Sequence, residues 1–174
     1  MTNEVISALL SRRSIRKFKP EMIREEELKE IISAGLYAPS GHGSQSVKLV
    51  VVMDKDFITQ LSYMNAKVLG KNTDPFYGAP VVIVVLADKN AADYIYDGSA
   101  AMANMLNAAY SLKIGSCWIH RAKQMFESEE GKELLKKWGL EGDYEGIANC
   151  ILGYPDESFL EAIPRKSGRV IYVR

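Results

Sequence analysis

The sequence predicts an α+β sandwich, and three features carry that prediction. Helical and extended segments follow one another in mixed order, without the strict alternation of a doubly wound sheet. Val81 to Ala87, VVIVVLA, is a β-branched run of the kind that forms a strand buried on both faces. Asp93 to Leu112 is a long helical stretch crowded with small residues between Gly98 and Ala109, which let a second layer approach closely. A chain of 174 residues suits one domain spanning 1–174, burying roughly 70% of its unfolded surface.

The elements follow in order. Thr2 or Asn3 caps a short helix that carries Val5, Ile6, Leu9 and Leu10 on one face. Pro20 and the acidic run Glu25-Glu26-Glu27 open a second helix, with Leu28, Ile31, Ile32 and Leu36 at helical spacing. Acids in its first turn complement the helix dipole. Ala38-Pro39 ends it, because the residue before a proline avoids the helical region. Val47 to Met53 reads as a strand and Lys55 to Leu69 as a helix, and Ala79-Pro80 leads into the buried strand. Beyond the small-residue helix come a strand at Gly115–Ile119, a helix at Glu129–Trp138 and another buried strand at Gly146–Leu152. Val170 to Val173 is extended and has no local segment to pair with.

Charge is balanced in total but not in distribution. The chain has 22 basic and 22 acidic residues, yet residues 11–20 hold five basic groups and residues 162–174 hold four, neither with an acid. The remainder is acidic. A neutral total argues against a dedicated nucleic-acid partner, while two basic segments on an acidic body suit a compact anionic ligand. No apolar run is long enough to span a bilayer, and MTNEVISALLSRR places its charges after its apolar residues, the reverse of a secretory signal. No membrane association is expected. Cys117 and Cys150 lack CxxC spacing and read as buried thiols of a reducing compartment, so the cytoplasm is the expected location.

Several chemistries are missing from the pattern. Gly41-His42-Gly43 precedes a strand instead of following one into a helix, so it is no dinucleotide fingerprint. There is no Walker loop and no GxSxG elbow. His42 and His120, the only histidines, stand without ligand spacing, and no metal is expected. What remains is Ser11–Phe18, SRRSIRKF, where guanidinium groups and a hydroxyl meet as a helix gives way to extended chain. Arginine grips phosphate with paired hydrogen bonds, although a solvated basic turn looks the same when taken alone.

That cluster does not stand alone. RRSIRKF at 12–18, AGLYAPSGHGSQS at 34–46 and GAPVVIVV at 78–85 are followed by DGSAAMANMLNAAYSLKIGSCWI at 97–119, LGYP at 152–155 and PRKSGR at 164–169. In this order and spacing, over nearly its whole length, the chain resembles the nitroreductase family of FMN-dependent oxidoreductases, as one of its short members. The resemblance implies an α/β/α sandwich with a mainly antiparallel sheet, in a domain-exchanged homodimer that holds FMN at both subunit interfaces. It places Arg12, Arg13 and Ser14 at the phosphate and ribityl chain, and Arg16 near the pyrimidine edge of the flavin. Pro39, Ser40 and Gly41 match a loop reaching over the cofactor from the other subunit. Arg165 and Lys166 match a C-terminal basic pair on the phosphate. Ile119, His120 and Arg121 match the stretch whose backbone N–H groups approach flavin N5.

There are departures. The family loop often reads Asn-Ser-Gln-Pro-Trp, whereas this chain has Gly43-Ser44-Gln45-Ser46-Val47, leaving Gln45 as the candidate contact. The segment from Met64 to Phe76 is short, without the substrate-covering insertion of longer members, and Lys71 and Asn72 are open candidates for facing the flavin. Cys117 and Trp118 read as core beneath it. Tyr37, Phe76 and Tyr77 suit either the substrate site or the core, and His120 either donates a proton or merely lines the pocket.

The implied activity is NAD(P)H-dependent reduction of electrophilic small molecules, such as nitroaromatics or quinones, by ping-pong hydride transfer through flavin N5. A cofactor that performs the redox step explains why no acid–base pair stands out. Two alternatives remain at this stage: another flavin reaction, reductive dehalogenation or flavin degradation, and a non-catalytic anion- or nucleotide-binding module.

Overall fold

A computed structural model describes residues 3–174. Six helices and four strands run in the order α1 (Glu4–Ser11), α2 (Glu25–Leu36), β1 (Val47–Val52), α3 (Lys55–Leu69), β2 (Val81–Asp88), α4 (Tyr94–Ser111), β3 (Gly115–Ile119), α5 (Ala122–Glu127), α6 (Glu129–Lys137) and β4 (Tyr144–Gly153). Side-chain oxygens set three of the helix starts, as N-caps do. Asn3 accepts from Ile6 N, Asp54 from Asp56 N and Phe57 N, and Ser128 from Gly131 N. Of the two cap candidates at α1, Thr2 lies outside the described residues. The short helix α5 was not expected from the sequence. Its six residues are too few for a periodic signal, and it is held instead by burial of Ala122, Met125 and Phe126.

The sheet has strand order β1-β2-β4-β3, and every pairing is antiparallel. Strand β2 is central and buried along seven of its eight residues. Successive side chains of a strand face opposite ways, so β2 serves two cores. Val82, Val84 and Leu86 pack with Leu61 and Met64 of α3, Phe126 of α5 and Leu134 of α6. Val81, Ile83 and Val85 pack with Leu28 and Ile31 of α2 and Met102 and Met105 of α4. The result is the three-layer α/β/α sandwich. The same alternation puts Cys117 in one core and Cys150 in the other, which explains why both are free thiols.

Small residues sit where layers touch. A Cβ on Gly98 of α4 would lie 2.6 Å from Ile147 of β4, and one on Gly146 only 2.4 Å from the carbonyl oxygen of Ala122. Gly146 therefore lets the start of α5 rest on β4, next to the end of β3. Residues 156–174 form no helix or strand in the protomer. Val170 to Val173 is exposed throughout, and the apolar face of α1, Val5, Leu9 and Leu10, is uncovered as well. Among the described residues, no helix is long and apolar enough to cross a membrane.

Candidate functional site

The basic segment is held by its apolar residues. Ile15, 1% exposed, donates its N–H to Ser116 O at the start of β3, and its Cγ2 would stand 2.9 Å from a Cβ on Gly115. With Ile15 plugged into the core, Arg12, Arg13, Ser14 and Arg16 are left along the surface around it. The chain beyond β4 then lies beside 16–19. Lys19 N donates to Tyr154 O, Asp156 N to Lys17 O, and Arg16 N to the Glu157 carboxylate at 2.6 Å. Tyr154 in turn donates to Glu27 of α2, whose carboxyl Arg24 and Tyr154 together hold at about 2.

Arg16 opens onto a cleft of 420 Å³ walled by Lys71, Tyr77, Trp118, Ile119, His120 and Arg121. Its guanidinium carbon is 5.9 Å from the centre of the Tyr77 ring, a cation–π distance. Tyr77 is held in a left-handed conformation, φ 56°, by the turn around Asp74, which accepts from Ser62 Oγ, Phe76 N and Gly78 N. The alternatives left open by the sequence separate here. Tyr77 lines the cleft, Phe76 is fully buried core, and Tyr37 stands in solvent at 89% exposure. Lys71 lines the cleft, whereas Asn72 lines a neighbouring groove of 690 Å³ that shares only the Thr73–Asp74 wall with it. Cys117 is buried under the cleft and Trp118 half-buried at its side.

The far wall is a turn at 119–121. Arg121 takes φ 78°, strained for a residue with a side chain, and ends the turn at the start of α5. Neither His120 N nor Arg121 N donates to a carbonyl among the described residues, so two backbone donors remain for a ligand. Asn65 of α3, fully buried and missed in the sequence, braces this turn from behind: its amide donates to His120 O at 2.8 Å and accepts from Arg121 Nε at 3.0 Å.

The Pro39–Gln45 loop belongs to a different place in the protomer. Pro39, Ser40 and Gln45 line a small cavity of 160 Å³ that shares no residue with the cleft. Asp97, in the first turn of α4, organises it by accepting from Gly41 N at 2.8 Å, Ser44 Oγ at 2.9 Å and Ser46 Oγ at 2.7 Å. Burial pushes the Asp97 carboxyl up, but the three donors outweigh it and hold the group below its ordinary value. Ser44, and Ser46 where the family loop often has proline, thus have a structural task. A Cβ on Gly41 would meet Asp93 Oδ2 at 2.3 Å, so the loop also requires glycine there. Arg165 and Lys166 lie on the exposed tail and make no hydrogen bond or ion pair with the 12–16 cluster, among the described residues.

The residues present fit the cofactor that the resemblance implies. Arg13 donates to Leu10 O, yet its Nε is buried without a partner among the described residues, an orphan donor within the basic segment. The cleft offers aromatic faces, cations and free backbone donors within the size range of cofactor sites. No group of three metal-ligating side chains occurs among the described residues.

A model of the nitroreductase family matches residues 9–154. The chain belongs to the nitroreductase family. Membership makes it an oxidoreductase and accounts for the sandwich. Among relatives of this nitroreductase-family chain is a protein of Archaeoglobus fulgidus, 31% identical over 93% of this chain and 92% of its own, provisionally named an NADH dehydrogenase/NAD(P)H nitroreductase. An NADPH-flavin oxidoreductase of Vibrio harveyi is 30% identical over 97% of this chain and 72% of its own. The crystal structure of a Bacteroides fragilis nitroreductase with bound FMN superposes with a TM-score of 0.90 at 25% identity, covering 99% of this chain and all of the other.

Proposed function

We propose that the chain binds FMN in the cleft between Arg16, Tyr77, Trp118 and the 119–121 turn, and uses NAD(P)H to reduce electrophilic small molecules such as nitroaromatics or quinones. The observation that carries this reading is the aromatic-walled, cationic cleft where Arg16 and Lys71 face the 119–121 turn, with its two backbone donors unpaired among the described residues. A relative that is an NADPH-flavin oxidoreductase and a neighbour of the same fold with FMN bound support it.

Arg12, Arg13 and Ser14 hold the phosphate, for which several donors are needed. Arg16 and Lys71 place positive charge at the pyrimidine edge, where it stabilises the negative charge that reduction develops. The free N–H groups of His120 and Arg121 orient the ring at its N5 edge, while Trp118 and Tyr77 exclude water from its sides. When bound, FMN supplies the redox chemistry, taking hydride from NAD(P)H and passing two electrons to the acceptor in ping-pong order.

The working unit is a homodimer. Support comes from the uncovered apolar face of α1 and from Leu160, Ile163 and Val170–Val173 on the tail, all exposed in the protomer. Assembly brings Arg165 and Lys166, and the Pro39–Gln45 loop, to a cofactor cleft that they do not reach within one chain. The cytoplasm suits two thiols on opposite sheet faces that cannot bridge.

An absorbance spectrum of the purified protein tests the reading. The expected protein is yellow, bleaches on addition of reduced nicotinamide, and recovers its colour with a nitro or quinone acceptor. Arg12→Glu releases FMN more readily than Lys132→Glu, which changes charge equally on an exposed part of α6. Protein that stays colourless after incubation with FMN overturns the proposal.

A further inference from the structure

We propose that Asn65 is a positioning residue for the redox cofactor: through its contacts with His120 O and Arg121 Nε it sets the 119–121 turn so that the two free backbone N–H groups face the cleft. The inference rests on the reading that FMN occupies that cleft, and it assigns a role to a residue that stands behind the cleft wall and does not line the cleft.

Asn65 is fully buried on α3, a helix whose other buried residues are Leu61, Met64 and Ala66. A primary amide in such a setting costs stability unless its hydrogen bonds are made. Both of its strong bonds go to the same two-residue turn, across 55 and 56 residues of chain. Its amide nitrogen also lies 3.1 Å from Met125 Sδ on α5, so one side chain ties α3 to both the turn and the helix that follows.

The turn needs such a tie. Arg121 has a side chain and a left-handed backbone, a conformation that is strained for a residue other than glycine. Asn65 offsets this by accepting from the guanidinium and by turning the His120 carbonyl inward. A peptide unit whose carbonyl is fixed inward has the opposite end fixed as well. The Arg121 N–H, on the same peptide unit as the His120 carbonyl, therefore points away from α3 and towards the cleft wall that Arg121 helps to form. Releasing the carbonyl frees that peptide to rotate and removes a donor aimed at the N5 edge, which accepts a hydrogen bond while the flavin is oxidised and carries its own hydrogen once reduced.

The test compares wild type with Asn65→Leu and Asn65→Ala. Both are neutral and remove the donor to the His120 carbonyl without adding a charge beside the cofactor, whereas an aspartate would shift the potential by its own field. FMN affinity is measured for the oxidised and the reduced cofactor, alongside thermal stability of the cofactor-free protein. Both variants are expected to lose about tenfold more affinity for the oxidised than for the reduced form, which raises the two-electron midpoint potential by about 30 mV. General loosening of the fold would weaken both forms equally and leave the potential in place. An Asn65→Leu or Asn65→Ala protein that folds and keeps the wild-type ratio overturns the assignment; if only one of the two folds, that one decides. A wild type that binds no FMN instead overturns the flavin reading on which this rests.

Discussion

Asp97 offers the most direct test of how this chain builds its site. One buried carboxylate accepts three hydrogen bonds from a loop more than fifty residues earlier, and burial alone would raise its cost of ionisation. Asp97→Ala removes all three bonds and strands the Gly41 N–H and the Ser46 hydroxyl against α4. Bonds to a charged group contribute about 1.5–3 kcal/mol each, but Ser44 is exposed and water replaces its share. A net loss of about 3 kcal/mol follows, which for a chain of this size corresponds to roughly 6–12 °C in melting temperature. Asp97→Asn is milder, about 1 kcal/mol, because its oxygen still accepts from Gly41 N and the serine hydroxyls can turn to accept. The two variants also differ from wild type in acid. The folded Asp97 carboxyl titrates below its unfolded value of 3.8, so its contribution is full above that value and fades as pH falls through the folded one. Urea unfolding at fixed protomer concentration, repeated from neutral pH downward, gives both quantities. An Asp97→Ala protein within 1 kcal/mol of wild type, or an Asp97→Asn protein with an unchanged acid limb, would refute the reasoning.

Two further outcomes follow from the same structure. Glu27 has its carboxyl lowered from 4.5 to about 2, first by the Arg24 side chain and then by Tyr154. Its stabilisation is thus complete above about 4.5 and lost between there and about 2, and Glu27→Gln flattens that part of a stability–pH curve; an unaltered curve counts against the Glu27–Tyr154 link. Deleting residues from Ser167 onward removes the exposed Val170–Val173 segment, which we expect to pair with the partner's sheet, so analytical ultracentrifugation should show dissociation to monomers. A truncated protein that remains a stable dimer and still binds FMN disproves that pairing.

Much of the architecture was readable in advance because it rests on local period. The alternation in Val81–Ala87 becomes two packed cores, and the small residues of α4 become close contacts such as Gly98 on Ile147. The strand and helix bounds agree within a few residues, with Trp138 capping α6 just after its last turn. Helix α5 escaped notice because its six residues complete less than two turns. The candidate site was partly legible. Arg16, Ile119, His120 and Arg121, singled out in the sequence, line one cleft. Asn65 and Asp97 were not singled out, since each looks like an ordinary polar residue within a helical pattern. Only the full burial of Asn65 and the three donors around Asp97 distinguish them.

The sequence by itself determined the layers and where positive charge is concentrated. Side-chain periodicity decides which faces are buried, and a concentration of guanidinium groups without acids decides what charge is welcomed, whatever the chain does elsewhere. Tertiary structure decided which of those groups share a cleft and what holds them there. It separated Pro39–Gln45 from Arg16, sent Lys71 and Asn72 into different pockets, and braced a strained turn with an amide from another helix. Such contacts join residues more than fifty positions apart, and no local pattern encodes a hydrogen bond whose partner is chosen by the packing of the sheet between them.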